Sequence, residues 1–149
     1  KIFQDLATAT SETAARAIAD RFWLTWMTAP DEETAEWMNK ALRARGGYNL
    51  EKALGFLNAI IEKHPDYAEA WNQRATIHYM QSNFEQAIKD CEVTLALAPR
   101  HLGCLSGSAL IMIRHLKHYE LGQKFLAEAI RLHPWIYERV LQKEIPGSQ

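Results

Sequence analysis

The chain has 149 residues, of which 48% are apolar and 23% charged, with 17 basic against 18 acidic side chains and a net charge of −1. This is the composition of a folded domain able to bury a sizeable core, and it excludes a disordered tail. The charge balance excludes the basic surface that nucleic-acid binders need to neutralise phosphate. Two cysteines exclude a disulfide framework, and there is no paired Cys-x-x-Cys spacing for zinc. No run of 18 apolar residues is present to span a membrane. Lys1 stands first in place of Met, which points to a removed leader or an excised domain.

Taken in chain order, Ile2 to Thr8 reads as a short first helix. Ser11 to Thr28 reads as one long helix with Thr10 or Ser11 as N-cap and an apolar face of Ile18, Phe22 and Trp26, with Trp23 and Met27 beside it. From there the chain repeats. Pro30, Pro65, Pro99 and Pro134 are spaced 35, 34 and 35 apart, while Trp37 and Trp71, Ala41 and Ala75, and Ala53 and Ala87 are each 34 apart. Eight residues before each of these prolines stands Phe22, Leu57, Cys91 or Leu126. Four markers in one register define a helical repeat.

Each repeat holds two apolar-periodic segments joined by a polar turn, Gly46-Gly47-Tyr48-Asn49 in one and Gln81-Ser82-Asn83 in the next. Small residues fall where two antiparallel helices must touch, and proline ends each unit because it cannot continue a helix. Ala109 to Gly122 spans 13 positions where Ala75 to Ala87 spans 12, so the third repeat carries one extra residue, placed by this reading in its internal turn near His118. The expected fold is all-α, with antiparallel helix pairs stacked in a right-handed superhelix whose concave face is lined by first helices. Residues 1–33 form a cap read as a degenerate leading repeat, 34–134 hold three repeats (34–67, 68–101 and 102–134), and 135–149 close the array. In that last segment Trp135 to Lys143 is the amphipathic closing helix and Gly147-Ser148-Gln149 is frayed. Trp37 and Trp71 are expected in equivalent buried sites.

The second repeat, AEAWNQRATIHYMQSNFEQAIKDCEVTLALAP, resembles the tetratricopeptide repeat family, with Trp71, Ala75, Phe84, Ala87 and Pro99 in the family's positions. Arg74, His78 and Cys91 replace the usual Leu, Tyr and Phe. The first repeat matches at Trp37, Ala41, Ala53, Leu57 and Pro65; the third has Leu105 for Trp and Gly122 for the central Ala. The resemblance implies that first-helix positions face a groove: Ala35, Met38, Leu42 and Arg45, then Glu69, Asn72, Thr76 and Tyr79, then Gly103, Ser106, Leu110 and Ile113, with Gln73 beside them. Members that clamp a chaperone's terminal carboxylates use Lys, Asn, Asn, Lys and Arg where this chain has Met38, Leu42, Gln73, Gly103 and Gly107, so that mode is disfavoured. The RHLGCLSGSA opening of the third repeat resembles short alphaproteobacterial repeat proteins, several of them exported, which favours a periplasmic over a cytoplasmic chain.

Catalytic chemistry finds no constellation. Ser106 lacks the Gly-x-Ser-x-Gly elbow, no Gly-rich phosphate loop occurs, and the histidines (His64, His101 and His133 beside the prolines, His115 and His118 three apart) read as exposed turn residues rather than metal ligands. Cys91 and Cys104 read as buried reduced thiols on adjacent helices. The chain is therefore expected to be a non-catalytic module without cofactor or metal, holding a peptide or helix of a partner protein. Self-association through the aromatic N-terminal helix, making a homo-oligomer, is the alternative. Reading of RNA by 35-residue repeats is disfavoured by charge.

Overall fold

The computed structural model describes residues 2–147, and the backbone alone of Ile2, Phe22 and Thr25. Among the described residues there are eight α-helices and no strand: α1 (Ile2–Ala7), α2 (Glu12–Met27), α3 (Glu32–Gly46), α4 (Leu50–Lys63), α5 (Ala68–Met80), α6 (Phe84–Leu97), α7 (Leu102–Leu110) and α8 (Tyr119–Leu132). A π-helical turn, Ile111–His115, continues α7, and a 3₁₀ helix, Tyr137–Glu144, follows α8. The helices divide into two compact units. One is Trp26–Pro99, and the other is the described part of Lys1–Thr25 with Arg100–Gln149. The Phe22 side chain of the expected N-terminal apolar face, and the frayed Ser148 and Gln149, lie outside the described residues.

In Trp26–Pro99, α3 pairs with α4, α5 pairs with α6, and α4 packs on α5. Met38, Ala41, Ala44, Ala53, Leu57, Ile60, Tyr67, Ala70 and Ile77 form the core between them, with Met27 and Trp37 against its edge. Asp31 caps α3, its carboxylate accepting from the Thr34 backbone N–H at 2.7 Å, and Asn49 caps α4 by accepting from the Lys52 N–H. The repeat boundaries share one geometry: His64, Ala98 and His133 end α4, α6 and α8 with φ between −133° and −143° and ψ between 76° and 85°. Each precedes a proline, whose ring bars the α conformation to the residue before it. Trp37 and Trp71 are both half-buried rather than fully buried, each with a cation over its ring, Lys63 at 5.5 Å and Arg74 at 4.9 Å. A wide indole at a helix surface keeps one face for the long cationic side chain beside it.

In the other unit, α7 pairs with α8, and the 3₁₀ helix closes the pair by placing Leu141 and Ile145 against Ala109, Ile113 and Leu126. The expected closing helix is thus present but 3₁₀ and shorter. Arg114 ties it down with a two-pronged bond to Glu144, at 3.1 and 2.5 Å.

The extra residue of the third repeat is in the helix and not in the turn. Tyr48, Ser82 and Lys117 sit at the same turn position with φ near +60°, and each turn then starts its second helix at Asn49, Asn83 or His118. The turns are alike. What differs is the helix before them: the N–H of Gln81 donates to Ile77 four residues back, whereas that of Leu116 donates to Ile111 five back. The insertion is absorbed as one wide π turn, the usual way a helix takes up an added residue without losing its hydrogen bonds. Gly122 is its counterpart on α8. A Cβ there would lie 2.6 Å from Ile113 Cγ1 and 3.1 Å from Met112 Cβ, so the π turn occupies the space that the alanine methyl fills in the other repeats.

The boundary of the first repeat is locked by charge. Asp31 also receives the His64 ring at 2.9 Å and Lys63 at 3.2 Å, and Lys63 reaches Glu33 at 2.8 Å. The Thr34 N–H, then His64 and Lys63, hold the Asp31 carboxyl well below the usual carboxylate range.

Two predictions follow from this packing. Gly122→Ala should destabilise the protein by about 1–3 kcal/mol through overpacking against the π turn. Gly55→Ala in α4, where a Cβ meets nothing within 4 Å, should stabilise it by about 0.5–1 kcal/mol. Thermal melting followed by circular dichroism separates the signs. For Asp31, a carboxyl depressed on folding adds stability above its unfolded pKa and loses it as pH falls towards the folded one. Asp31→Ala should therefore melt below wild type at pH 7, with the gap closing below about pH 4.

Candidate functional site

The first helices of the two repeats in Trp26–Pro99 lie side by side through a chain of polar contacts. The Arg45 guanidinium on α3 donates to Gln73 Oε1 on α5 at 2.5 Å, and the Gln73 amide donates to Glu69 Oε1 at 2.8 Å. The Asn72 amide donates to the same Glu69 oxygen at 3.0 Å. Glu69 is fully buried. Its carboxylate is tolerable there because amide donors converge on it. Above this chain, Leu42, Arg45, Asn72, Thr76 and Tyr79 remain partly exposed. Thr76 donates its hydroxyl to the Asn72 carbonyl one turn back, and the Tyr79 ring meets Phe84 edge-on at 5.7 Å.

Burial narrows the expected set of groove residues. Met38 and Ile113 belong to the two cores, Glu69 and Gln73 lie beneath the surface as supports, and Ser106 is buried with its hydroxyl donating to the Leu102 carbonyl. None of these five offers its side chain outward. Met38 and Ile113 are drawn into apolar cores, Glu69 and Gln73 into the chain with Arg45, and Ser106 onto its own helix backbone. Ser106, Leu110 and Ile113 belong to the unit of α7, where Leu110 alone of the three is half-exposed. At Gly107 an added Cβ would meet nothing within 4 Å among the described residues, so no packing neighbour demands that glycine.

The side of α5 away from this chain holds residues that the repeat pattern did not foretell. Arg74 grips Asp90 on α6 through Nε and Nη2, both at 2.8 Å, and reaches Asn58 on α4 at 3.1 Å. His78 lies 3.5 Å from Asp90. Burial holds the His78 imidazole below its ordinary pKa, against the pull of Asp90 and with a smaller push from Arg74. The sequence signal was there: Arg74 and His78 both depart from the family's apolar residues, and a buried cation at such a position calls for an acid on the neighbouring helix.

The histidines beside the prolines are not exposed turn residues. His101 is buried as the N-cap of α7, its Nδ1 accepting from the Cys104 N–H at 3.2 Å; His133 is buried at the end of α8, and His64 is half-buried against Asp31. Of the three, His101 caps a helix with its side chain. Among the described residues no group of three or more His, Cys, Asp and Glu is placed to hold a metal ion. Cys91 and Cys104 are both buried thiols, with no disulfide among the described residues. No helix of the described chain is long and apolar enough to cross a membrane.

A tetratricopeptide repeat model matches residues 68–101, the second repeat. A TPR repeat-containing protein of Rhizobium etli is 34% identical over 115 residues, which is 75% of this chain and 55% of that protein; the chain thus spans about half the length of this curated relative. Among solved structures, the Arabidopsis OM64 TPR domain superposes with a TM-score of 0.72 over 76% of this chain and 94% of its own, at 19% identity, a likeness of fold. The helix pairs define a class of all-α repeat protein built for protein–protein interaction, typically as a non-catalytic scaffold. Within that class, residues 68–101 match the tetratricopeptide repeat family, and the fold is that of a tetratricopeptide repeat domain.

The Arg74–Asp90 pair positions α5 and so the face above it. Arg74→Ala should cost about 3 kcal/mol, the low end for stranding one partner of a buried pair, because Arg74 keeps some exposure. The double variant Arg74→Leu with Asp90→Leu should return to within about 1 kcal/mol of wild type in urea unfolding.

Proposed function

We propose that the chain holds a mostly uncharged, partly apolar peptide segment of a partner protein in a concave groove along α3 and α5. The observation that carries this reading is the chain from Arg45 through Gln73 and Glu69 to Asn72. It ties the two helices together and fixes an amide beside exposed apolar side chains. A peptide backbone presents alternating donors and acceptors, and an amide such as Asn72 can answer either. Leu42 and the Tyr79 ring supply apolar area at small entropy cost, the profile of a binding anchor. The Arg45 and Glu69 charges are each hydrogen-bonded to the neutral Gln73 amide between them, and Glu69 is buried, so binding should vary little with salt.

A second reading rests on α2, where Trp23 is 43% and Leu24 63% exposed. Large apolar side chains on one helix suit association of two copies.

The two readings separate by experiment. Partner capture by the intact protein should fall by about 1–3 kcal/mol in affinity with Tyr79→Ala. Because Tyr79 also packs on Phe84, that variant loses an edge-to-face contact of about 0.5–1.5 kcal/mol in stability. Phe84→Ala is the control: it loses the same ring contact but keeps the groove side chain, and should bind nearly as wild type. Affinity unchanged by Tyr79→Ala and Asn72→Ala, with a dimer that dissociates on Trp23→Ala and Leu24→Ala in light scattering, would hand the function to α2.

A further inference from the structure

Six residues are too few to hold a helix in water on their own, so α1 owes its form to what it packs against. It packs on α8, the second helix of the third repeat. Phe3 and Leu6, three apart, share one face. Leu6 is fully buried, and the Arg100 guanidinium lies over the Phe3 ring at 4.1 Å. Thr8 closes the helix by donating its hydroxyl to the Gln4 carbonyl. Just beyond, the Trp135 indole N–H donates to the Ala9 carbonyl at 3.1 Å, and Arg139 comes within 3.9 Å of Glu12. These contacts join the N-terminal segment to residues more than 90 positions later in the chain. By contrast, α2 is exposed along most of its described length, with Ala15 its one fully buried side chain among those described.

The arrangement is that of a bound peptide on a tether: two anchors three apart, an aromatic–cation stack, and a connecting helix whose described side chains are mostly exposed. We propose that the surface of the third repeat beneath α1 is a peptide-binding site separate from the α3–α5 face. Its ligand class is a short amphipathic helix carrying an aromatic residue and a leucine three positions later. α1 is the intramolecular occupant, and a partner segment of the same chemistry displaces it. A tethered occupant acts at an effective concentration of order millimolar, so an incoming segment must outbid it, and the site stays closed to weak ligands.

The test uses the full chain. A fluorescent peptide of residues 1–10 is titrated into wild type and into the variant Phe3→Ala with Leu6→Ala, whose own α1 has lost its anchors. The variant should bind the peptide at least tenfold more tightly than wild type. A peptide carrying the same two alanines should not bind, and adding Arg100→Ala to the variant should weaken binding several-fold. Equal affinity for wild type and variant, or no binding by a variant that keeps its helical circular dichroism, overturns the proposal. Where the variant loses its fold, a protease site placed between Thr8 and Ser11 of the otherwise wild-type chain decides. Release of the cut segment on dilution with the rest still helical supports an exchangeable ligand. Unfolding on release makes α1 a structural part and overturns the proposal.

Discussion

The two helices of a repeat can close on each other only where both carry a side chain no larger than a methyl, and this contact sets everything else. Ala41 on α3 and Ala53 on α4, and Ala75 on α5 and Ala87 on α6, supply such side chains; all four are buried in the paired helices. Interaxial distance follows from the side chains at the crossing, so a methyl at each position brings the axes together and fixes the register of the apolar rows on either side. In the third repeat Ala109 keeps its place, but the added residue forces the following turn wide and carries Met112 and Ile113 towards α8. The crossing survives because Gly122 gives up even the methyl. A helix-weakening residue in α8 is therefore the local answer to a helix-widening insertion in its partner, and neither change makes sense alone.

This explains why the period was legible and the π turn was not. Prolines, tryptophans and alanines recur because each answers a constraint imposed once per repeat, and such constraints leave a mark at fixed spacing. The insertion left a mark too, as one extra position between Ala109 and Gly122, but counting cannot say where along a helix and turn the extra residue is accommodated. The decision is made by hydrogen bonding: the turn with a left-handed residue at Lys117 is worth keeping intact, and a π turn takes up one residue while still bonding its N–H groups. Gly122 in place of alanine was the one readable hint that the helix itself had changed.

The groove residues were less legible because position in a repeat fixes direction only when the side chains are of ordinary kind. Glu69 and Gln73 are long and polar, and they turn inward because Arg45 on the first helix of the preceding repeat is within reach. Arg74 and His78 turn towards Asp90 for the same reason. Polar side chains thus organise α5 on both flanks, Arg74 and His78 on one and Glu69 and Gln73 on the other. Each flank is a hydrogen-bonded chain, and Asn72, Thr76 and Tyr79 stand on the helix between them.

The N-terminal segment shows the opposite limit. Read forwards, Ile2 to Thr8 belongs with whatever follows it, because local periodicity carries no information about contacts more than a hundred residues away. Its docking is decided instead by α8, on which it packs, and by Arg100 over the Phe3 ring, with Trp135 and Arg139 reaching Ala9 and Glu12 just beyond it. A repeat array ends in an apolar surface that its own period cannot cover. At the C-terminal side the 3₁₀ helix covers part of it with Leu141 and Ile145, and α1 brings Leu6 to α8. The unit of the third repeat is thus completed by segments outside the repeat period, one from each side of the array in sequence. These are the segments whose docking the period leaves unspecified.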